Sequence, residues 1–547
     1  MSHIKRMKDP IYGYVDIPVK YMLNIIDTPS YQRLRRIIQT SYSPLYSSAV
    51  HNRFVHSIGV YHLGSLSYNS LEKAVDIDKS LVDIDRSLFE KIGGIFILAC
   101  LLHDIGHAPF SHTGESFYLD ETNGYLSLHN QLAEIINSEN FLKDIPSEKS
   151  KAAAPHEIMS AIVGLREYCQ CFVDSDDKEL FARCITGYKY TTPNKEDSIR
   201  NCFIELLNSK IIDVDKLDYL IRDAYITGFN TISLDYVRLL SSLTFIKDEN
   251  QDYQLAYNKS AISVIENVVY AHDSERKWIQ SHPVVLYESY ILQHIFAGIS
   301  KNINSSTSKL FSLESLSEQG QNFRIGEYEQ KIRLLCDDDI IHLLKNVYYE
   351  SLGKEYFERR LRMHPFWKSE SEYKSLVLDT ISGGDALSKF EGAMKSTAEY
   401  LDKNTETKVI DDNLIAKIES EINAIDSKEL DPKTKEAQKR QKHDMLKIMN
   451  CLREYAGKEM TFKFVILKAS QFNSGFGKPD FSNINIVFGP PSNRKVKKFG
   501  KIVSTISAKE SARDDFFYLF YQRDLGKDSE IDSTALINKL FVALISS

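Results

Sequence analysis

The segment IFILACLLHDIGH, Ile95 to His107, is apolar on every face of a helix and ends in an adjacent histidine and aspartate. A helix that is hydrophobic all round belongs inside a protein. The run therefore predicts the central helix of a bundle, opened by Gly93-Gly94. An acid next to a histidine in such surroundings is destabilising unless it is paired or bound to a metal. Gly106, two residues after Asp104, lets the backbone turn so that both side chains can face one ion.

Composition narrows the class. A chain of 547 residues, 43% hydrophobic and 26% charged, holds two or three lobes at roughly 100–200 residues each, and this balance excludes wholesale disorder. The apolar stretch Ile95 to Leu102 is far short of the ~20 residues of a membrane span. The charged start, MSHIKRMKDP, lacks the apolar core of a signal peptide. Seven scattered cysteines without a CxxC pair argue against a disulfide scaffold or a zinc ribbon. The expectation is a soluble cytoplasmic protein with no membrane partner. A net charge of -7 argues against a dedicated nucleic-acid binder, and a local basic groove stays open.

Helical spacing runs through Tyr21 to Gln39, interrupted at Pro29, and through Phe203 to Thr227 and Ser260 to Ile299, with little alternation before residue 460. Leu414, Ile418, Ile422 and Ile425 recur at helical spacing, as do Met445, Leu446, Met449 and Leu452. With Lys433 to Lys442 as a solvated connection, these predict a helical hairpin. From Thr461 the character changes: Phe462 to Leu467 and Ile484 to Phe488 read as strands, and Asp514 to Arg523 as a helix or strand. The predicted fold is mainly α, a helical bundle with a small mixed α/β C-terminal lobe. Its divisions are 1–368, a helical insertion 369–460 for a regulator or partner, and 461–547.

Other residues suit the company of His103-Asp104. His56 lies in HNRFVHSIGV beside apolar Phe54 and Val55, with a glycine that lets backbones approach. Asp215 lies in the apolar helix IIDVDKLDYLIRD, and His107, His112 and Glu115 follow the HD pair. Two imidazoles and two carboxylates form a mixed nitrogen and oxygen set suited to Fe, Mn, Co, Ni or Zn.

These motifs, with DPIYGYVDI (Asp9 to Ile17), IDTPSYQRLRRIIQ (Ile26 to Gln39), LLHDIGHAPFSH (Leu101 to His112) and DVDKLDYLIRDAYITG (Asp213 to Gly228), resemble the HD-domain metal phosphohydrolases. The likeness is to the dNTP triphosphohydrolase branch, which holds the mammalian sterile-alpha-motif and HD-domain enzyme and, more distantly, bacterial dGTPases. It covers Asp9 to about Lys368 and returns from about Phe462 to Arg523, so 1–368 is expected to be the phosphohydrolase domain. The resemblance implies His56, His103, Asp104 and Asp215 as metal ligands. It implies Arg53, Lys216, Tyr219 and, by a looser match, Arg276 as phosphate contacts. Asp223 would bond the sugar 3′-hydroxyl and Gln39 would approach the sugar ring. His112 would be the general acid, oriented by Glu115, with His107, His156 and Glu157 supporting it.

The implied reaction cleaves a deoxynucleoside triphosphate between the 5′-oxygen and the α-phosphorus, giving deoxynucleoside and triphosphate. The cation would activate the attacking water, and additional Mg2+ would accompany the nucleotide. The resemblance also implies activation by GTP or a dNTP in a homo-oligomer, dimer or tetramer. Asp27, Gln32 and Arg35 would read the base there, and Lys5, Arg494, Lys495 and Lys498 would hold its phosphates. Two positions depart from the family pattern: Lys8 replaces an asparagine, and Gln280 replaces an aromatic tyrosine. Depletion of dNTPs against a virus is the role such an enzyme would serve. The competing expectation is an HD-type nuclease or phosphodiesterase acting on single-stranded nucleic acid or cyclic nucleotides. A non-enzymatic nucleotide-binding protein is a third.

Overall fold

Two side-chain caps start the helices that matter most. Asn52 accepts from the Val55 amide (3.3 Å) and opens α1 (Arg53–Ile77). Asp85 accepts from Leu88 (2.9 Å) and opens α2 (Arg86–Leu102). Such caps satisfy amides that the first helical turn leaves orphaned. Phe96, Ala99, Cys100, Leu101 and Leu102 of α2 are fully buried, as the all-round apolar run predicted. Helix α2 packs on α1 and later on α4 (Ser175–Thr186) and α5 (Lys195–Leu207), while α3 (Pro155–Glu167) lies against α4. Asp213 caps α6 (Val214–Thr227) by accepting from the Lys216 amide (2.7 Å), which puts Asp215 in the first turn, and Gly228 ends the helix at φ +71°. The helix α6 lies against α1.

The computed structural model describes residues 4–119, 125–146, 152–210, 212–229, 233–304, 309–378, 380–381, 384–404, 410–427, 429–457, 462–469, 479–490, 493–503, 516–523 and 531–545. Two units emerge, one from 1–275, 295–348 and 474–508, the other from 276–294, 349–473 and 509–547. The mainly α expectation holds, but the boundaries at 368 and 460 do not coincide with these units. The reason is strand pairing at long range. In the first unit, β1 (Ile4–Asp9) and β2 (Gly13–Pro18) form a hairpin, as do β3 (Leu243–Lys247) with β4 (Tyr253–Asn258) and β5 (Gln321–Ile325) with β6 (Tyr328–Ile332). Strand β7 (Asn485–Phe488) joins β4 in parallel and pairs with β8 (Lys495–Lys498), so part of the expected C-terminal lobe belongs to the first unit's sheet.

The helical segment expected over 260–299 is interrupted. Helix α7 (Ile262–Glu275) is followed by a π-helical turn at 276–280, and α8 (Pro283–Ile303) restarts at a proline suited to a first helical turn. Helix α9 (Asp337–Asn346) then follows β6. The segment Tyr21 to Gln39 holds only short turns of π, α and 3-10 helix, with Pro29 at the α start.

In the second unit, α10 (Gly384–Asn404) and α12 (Pro432–Ala456) pack on a sheet of His364–Pro365, Phe516–Arg523 and Phe462–Ala469, and α11 (Asp412–Asn423) and α13 (Ser533–Ile545) lie against α12. The expected hairpin is α11 and α12, but Lys433 to Lys442 is no connection. Asp431 caps the helix through the Thr434 amide (3.0 Å), and the charged residues form the first turns of α12. Lysine, glutamate and glutamine are good helix formers, and Lys439 pairs with Asp426 across the true connection (2.6 Å). Asp514 to Arg523 resolves as strand from Phe516, its first two residues lying outside the described set.

Candidate metal centre

Three helices bring four donors around the His56–His103 pair. His56 sits in the first turns of α1, His103 caps the end of α2, Asp104 follows it, and Asp215 comes from α6. His56 Nε2 is 2.9 Å from Asp215 Oδ1, 3.3 Å from His103 Nε2 and 3.6 Å from Asp104 Oδ2. His103 Nε2 is 3.4 Å from Asp104 Oδ1 and 3.7 Å from Asp215 Oδ1. Bonds of ~2.1 Å to one cation put neighbouring donors ~3.0 Å apart in an octahedron and somewhat farther apart in a tetrahedron. The observed spacings fall in that range. His103 Nδ1 lies 3.0 Å from Cys100 O and His56 Nδ1 lies 2.7 Å from Asp218 Oδ2. Both contacts commit Nδ1 as the donor, so in each neutral ring Nε2 carries the free lone pair and the two can face one cation.

Two glycines make the approach. A Cβ on Gly59 would lie 1.8 Å from Asp218 Oδ1, and one on Gly106 would lie 2.4 Å from Ser160 N. Any larger residue at these positions would push α1 from α6, or the HD turn from α3.

Behind His56 stands a buried network that the sequence reading passed over. Asp218 is fully buried because it faces α1. It accepts from Tyr12 Oη (2.7 Å) and from Arg222 Nε and Nη2 (2.9 and 3.0 Å), and Arg222 Nη1 donates to Asp9 (3.1 Å). Carboxylates behind ligating histidines fix tautomer and orientation. Burial opposes charge on His56, yet hydrogen bonds to Asp215 and Asp218 and the Asp104 charge push its pKa up to about 10. The field that holds a proton there suits a divalent cation equally. Burial likewise opposes charge on Asp104 and Asp218. The Arg53 guanidinium and His103 hold Asp104 well below the carboxylate range, and the Arg222 charge brings Asp218 to about 2.

A second imidazole cluster flanks the four donors. His107 Nε2 is 3.2 Å from Asp104 Oδ1, and its ring stacks on His156 at 4.1 Å and 16°. His112 meets both rings edge-on at 5.2 and 4.9 Å. Glu115 bonds His156 Nδ1 and lies 3.6 Å from His112 Nδ1. Nearly parallel rings cannot both aim in-plane lone pairs at one ion, so the trio is better suited to moving protons than to holding a metal. The His112 side chain is 63% exposed and open to a ligand. It follows Phe110 and Ser111 at φ +55° and +57°, left-handed residues that cost ~1–3 kcal/mol each and cluster at functional sites.

The remaining predicted residues divide by what they already touch. Arg53 donates to Asp104 Oδ2 (2.9 Å), Ser111 Oγ (2.8 Å) and Gln39 O (3.3 Å). The Oε1 atom of Gln39 is buried with no protein partner. Asp223 is buried 2.8 Å from His51 Nε2, a histidine of the HNRFVHSIGV motif given no role from sequence. Lys216 Nζ turns to Asp213 and to Ser209 O, and Tyr219 is half-buried one turn beyond. Glu157 serves its own helix: Oε2 accepts from the Ala154 amide (2.6 Å) and Oε1 from Asn208 (2.7 Å). Arg276 belongs to the second unit.

Among the residues expected at a regulatory site, Lys5, Asp27, Arg35 and Lys495 are exposed. Arg35 donates to Gln32 (2.8 Å) and lies over the Phe54 ring. Arg494 pairs with buried Asp78, and Lys498 bonds Asn483 O and Asn485 (3.0 and 2.7 Å), so both already have partners. No described helix is long and apolar enough to cross a membrane.

Residues 53–167 match the HD domain family. The deoxynucleoside triphosphate triphosphohydrolase SAMHD1 of Bos taurus is 32% identical over 46% of this chain and 40% of its own length. The SAMHD1 homolog of Dictyostelium discoideum is 30% identical over 51% and 46%. An uncharacterized Mycoplasma genitalium protein is 24% identical over 61% of this chain and 71% of its own. The chain thus spans less than half the length of these two SAMHD1 relatives. A crystal structure of a hypothetical protein from Aquifex aeolicus shares the fold, with TM-score 0.53 and 19% identity over 99% of this chain and all of that one.

Proposed function

This chain carries an HD domain and has SAMHD1 proteins among its relatives, and on that premise we propose that it is a metal-dependent dNTP triphosphohydrolase releasing deoxynucleoside and triphosphate. The observation that carries the reading is the pair His56 and His103, whose Nε2 atoms lie 3.3 Å apart and each have an oxygen of Asp104 and of Asp215 at 2.9–3.7 Å. Bound there, an Fe, Mn, Co, Ni or Zn ion supplies Lewis acidity and an activated water at neutral pH.

The protein's own groups do the rest. Arg53, held against Asp104, offers its charge to the α-phosphate, where negative charge builds during cleavage. Lys216 and Tyr219 bind the remaining phosphates, Lys216 exchanging Asp213 for substrate. The unpartnered Oε1 of Gln39 faces the sugar, and Asp223 exchanges His51 for the 3′-hydroxyl. His112 protonates the departing 5′-oxygen, with Glu115 steadying Nδ1 and the His107–His156 stack behind it. Glu157 supports the stack by fixing the start of α3. The exposed group of Lys5, Asp27, Arg35 and Lys495, with Gln32 already bonded to Arg35, supports an activating nucleotide, GTP or a dNTP, between copies in a homo-oligomer. Depletion of dNTPs against a virus follows from the same activity.

The deciding experiment incubates the full chain with Mn2+ and each dNTP, with and without GTP, and separates the products chromatographically. Deoxynucleoside and triphosphate in equal amounts are expected. Shortened oligonucleotides or opened cyclic nucleotides, with intact dNTPs, would replace this reading with the nuclease or phosphodiesterase one.

A further inference from the structure

The turn that delivers His112 is held by a carboxylate from outside the HD segment. Asp337, the first residue of α9, accepts from the Phe110 amide on Oδ1 (2.6 Å) and from the Ile38 amide on Oδ2 (2.8 Å). Phe110 and Ser111 are the two left-handed residues preceding His112, and Ile38 precedes Gln39. The Ser111 hydroxyl donates to Ile38 O and accepts from Arg53 Nε (2.8 Å). Asp337 is itself anchored. Buried Arg33 donates to Leu335 O (2.9 Å), two residues before it, and to Ile105 O and His107 O in the HD turn (2.7 and 3.0 Å). One hydrogen-bonded joint therefore includes the α9 start, the HD turn and the extended residues entering Gln39.

His112 needs that joint. Its side chain is largely exposed, and its nearest carboxylate lies 3.6 Å away, so it takes its position from its backbone. That backbone is strained and persists only where its surroundings over-determine it. We propose that Asp337 is a positioning residue, whose carboxylate fixes the Phe110–Ser111 turn and thereby sets the reach of His112 to the leaving oxygen. This rests on the hydrolase reading, in which His112 is the acid. A carboxylate is required because two amides converge on it. An asparagine offers one acceptor and turns a donor toward the second amide.

The test compares the Mn2+-loaded full chain with D337N, H112A and the double variant on the best dNTP. For D337N, kcat is expected to fall roughly 10- to 100-fold, with KM within about threefold and bound metal unchanged. In the H112A background the same substitution is expected to add less than about twofold, because residues acting as one unit are non-additive. A D337N kcat within twofold of wild type, a loss tracking metal content or KM, or a full multiplication with H112A overturns the inference. Where H112A is too slow to time, the split between kcat and KM decides. Asp337→Ser supplies the same readings if D337N does not fold. A wild type inert toward every dNTP defeats the hydrolase reading and this inference together; an active wild type with an indifferent D337N defeats the positioning role alone.

Discussion

His56 and His112 are imidazoles of the same helical unit, each beside a carboxylate, and their surroundings are opposite. His56 is fully buried, with Asp215, Asp218, Asp104 and His103 around it and Arg222, Tyr12 and Asp9 behind. His112 stands 63% exposed on a strained turn, with Glu115 its nearest carboxylate at 3.6 Å. The first environment suits a cation that stays, because imidazoles and carboxylates from three helices meet there and Asp218 behind His56 is held by Arg222 and Tyr12. The second suits a group that must meet a substrate. On the proposed reading, ligand geometry is built into helix packing, while acid geometry is left to a loop and to whatever fixes that loop.

The sharpest way to break the comparison is to remove the buried side. The double substitution His103→Ala, Asp104→Ala is expected to abolish bound metal and to lower dNTP turnover by more than ~10³-fold, read by elemental analysis and product release. Asp104→Ala alone leaves the Arg53 charge buried and unpaired. It is expected to lower stability by about 3 kcal/mol, an effect that His103→Ala lacks. Full metal content in the double variant would show that the cation sits elsewhere.

On the exposed side, His112→Ala is expected to lower kcat by ~10²- to 10⁴-fold, with bound metal and melting temperature unchanged. A loss of metal in that variant would erase the distinction between the two sides. Asp218→Asn comes next in size. The amide still accepts from His56 but weakens the charge behind it, so metal affinity is expected to fall about 10- to 100-fold, with turnover restored at saturating metal. A titration of apo-protein with Mn2+ reads this directly, and unchanged affinity would reduce the Asp218–Arg222–Asp9 network to a purely structural one.

How far the sequence told of this follows from the range of the interactions. Helix α2 and its terminal His103-Asp104 were legible because an all-round apolar run admits one placement. His56 and Asp215 were legible because an acid or imidazole in an apolar helix needs a partner. Asp218 was not, since one acid among Lys216, Tyr219 and Arg222 looks solvated until α1 is laid against that face. The signal existed in part: Asp218 and Arg222 stand at i and i+4, and Gly59 removes the Cβ that would strike them. The hairpins before residue 460 were invisible because their strands are short and several are exposed, as in β6, where four of five residues face solvent. The parallel pairing of β7 with β4 joins residues more than 200 apart, and no local pattern encodes such a partner. Asp337 carries no motif at all; only its two amide partners, from distant turns, reveal it.

The smallest effect concerns the pair that supports the exposed side. Burial disfavours both charges, but the hydrogen bond between Glu115 and His156 raises the histidine above its ordinary 6.5, and with His112 it holds the glutamate below its ordinary 4.5. A raised histidine stabilises the fold fully below its ordinary pKa and loses that contribution as pH rises through the raised value. A depressed glutamate stabilises above its ordinary pKa and loses its contribution as pH falls through the depressed one. The pair is therefore complete between pH 4.5 and 6.5 and weakens on the alkaline side. Glu115→Gln is expected to lower stability by about 2 kcal/mol near pH 6, and by less as pH rises through the raised histidine value. Urea midpoints of the two proteins across a pH series upward from 6 measure this. A difference that stays constant would mean that His156 is neutral throughout, and that the stack behind His112 carries no charge to pass on.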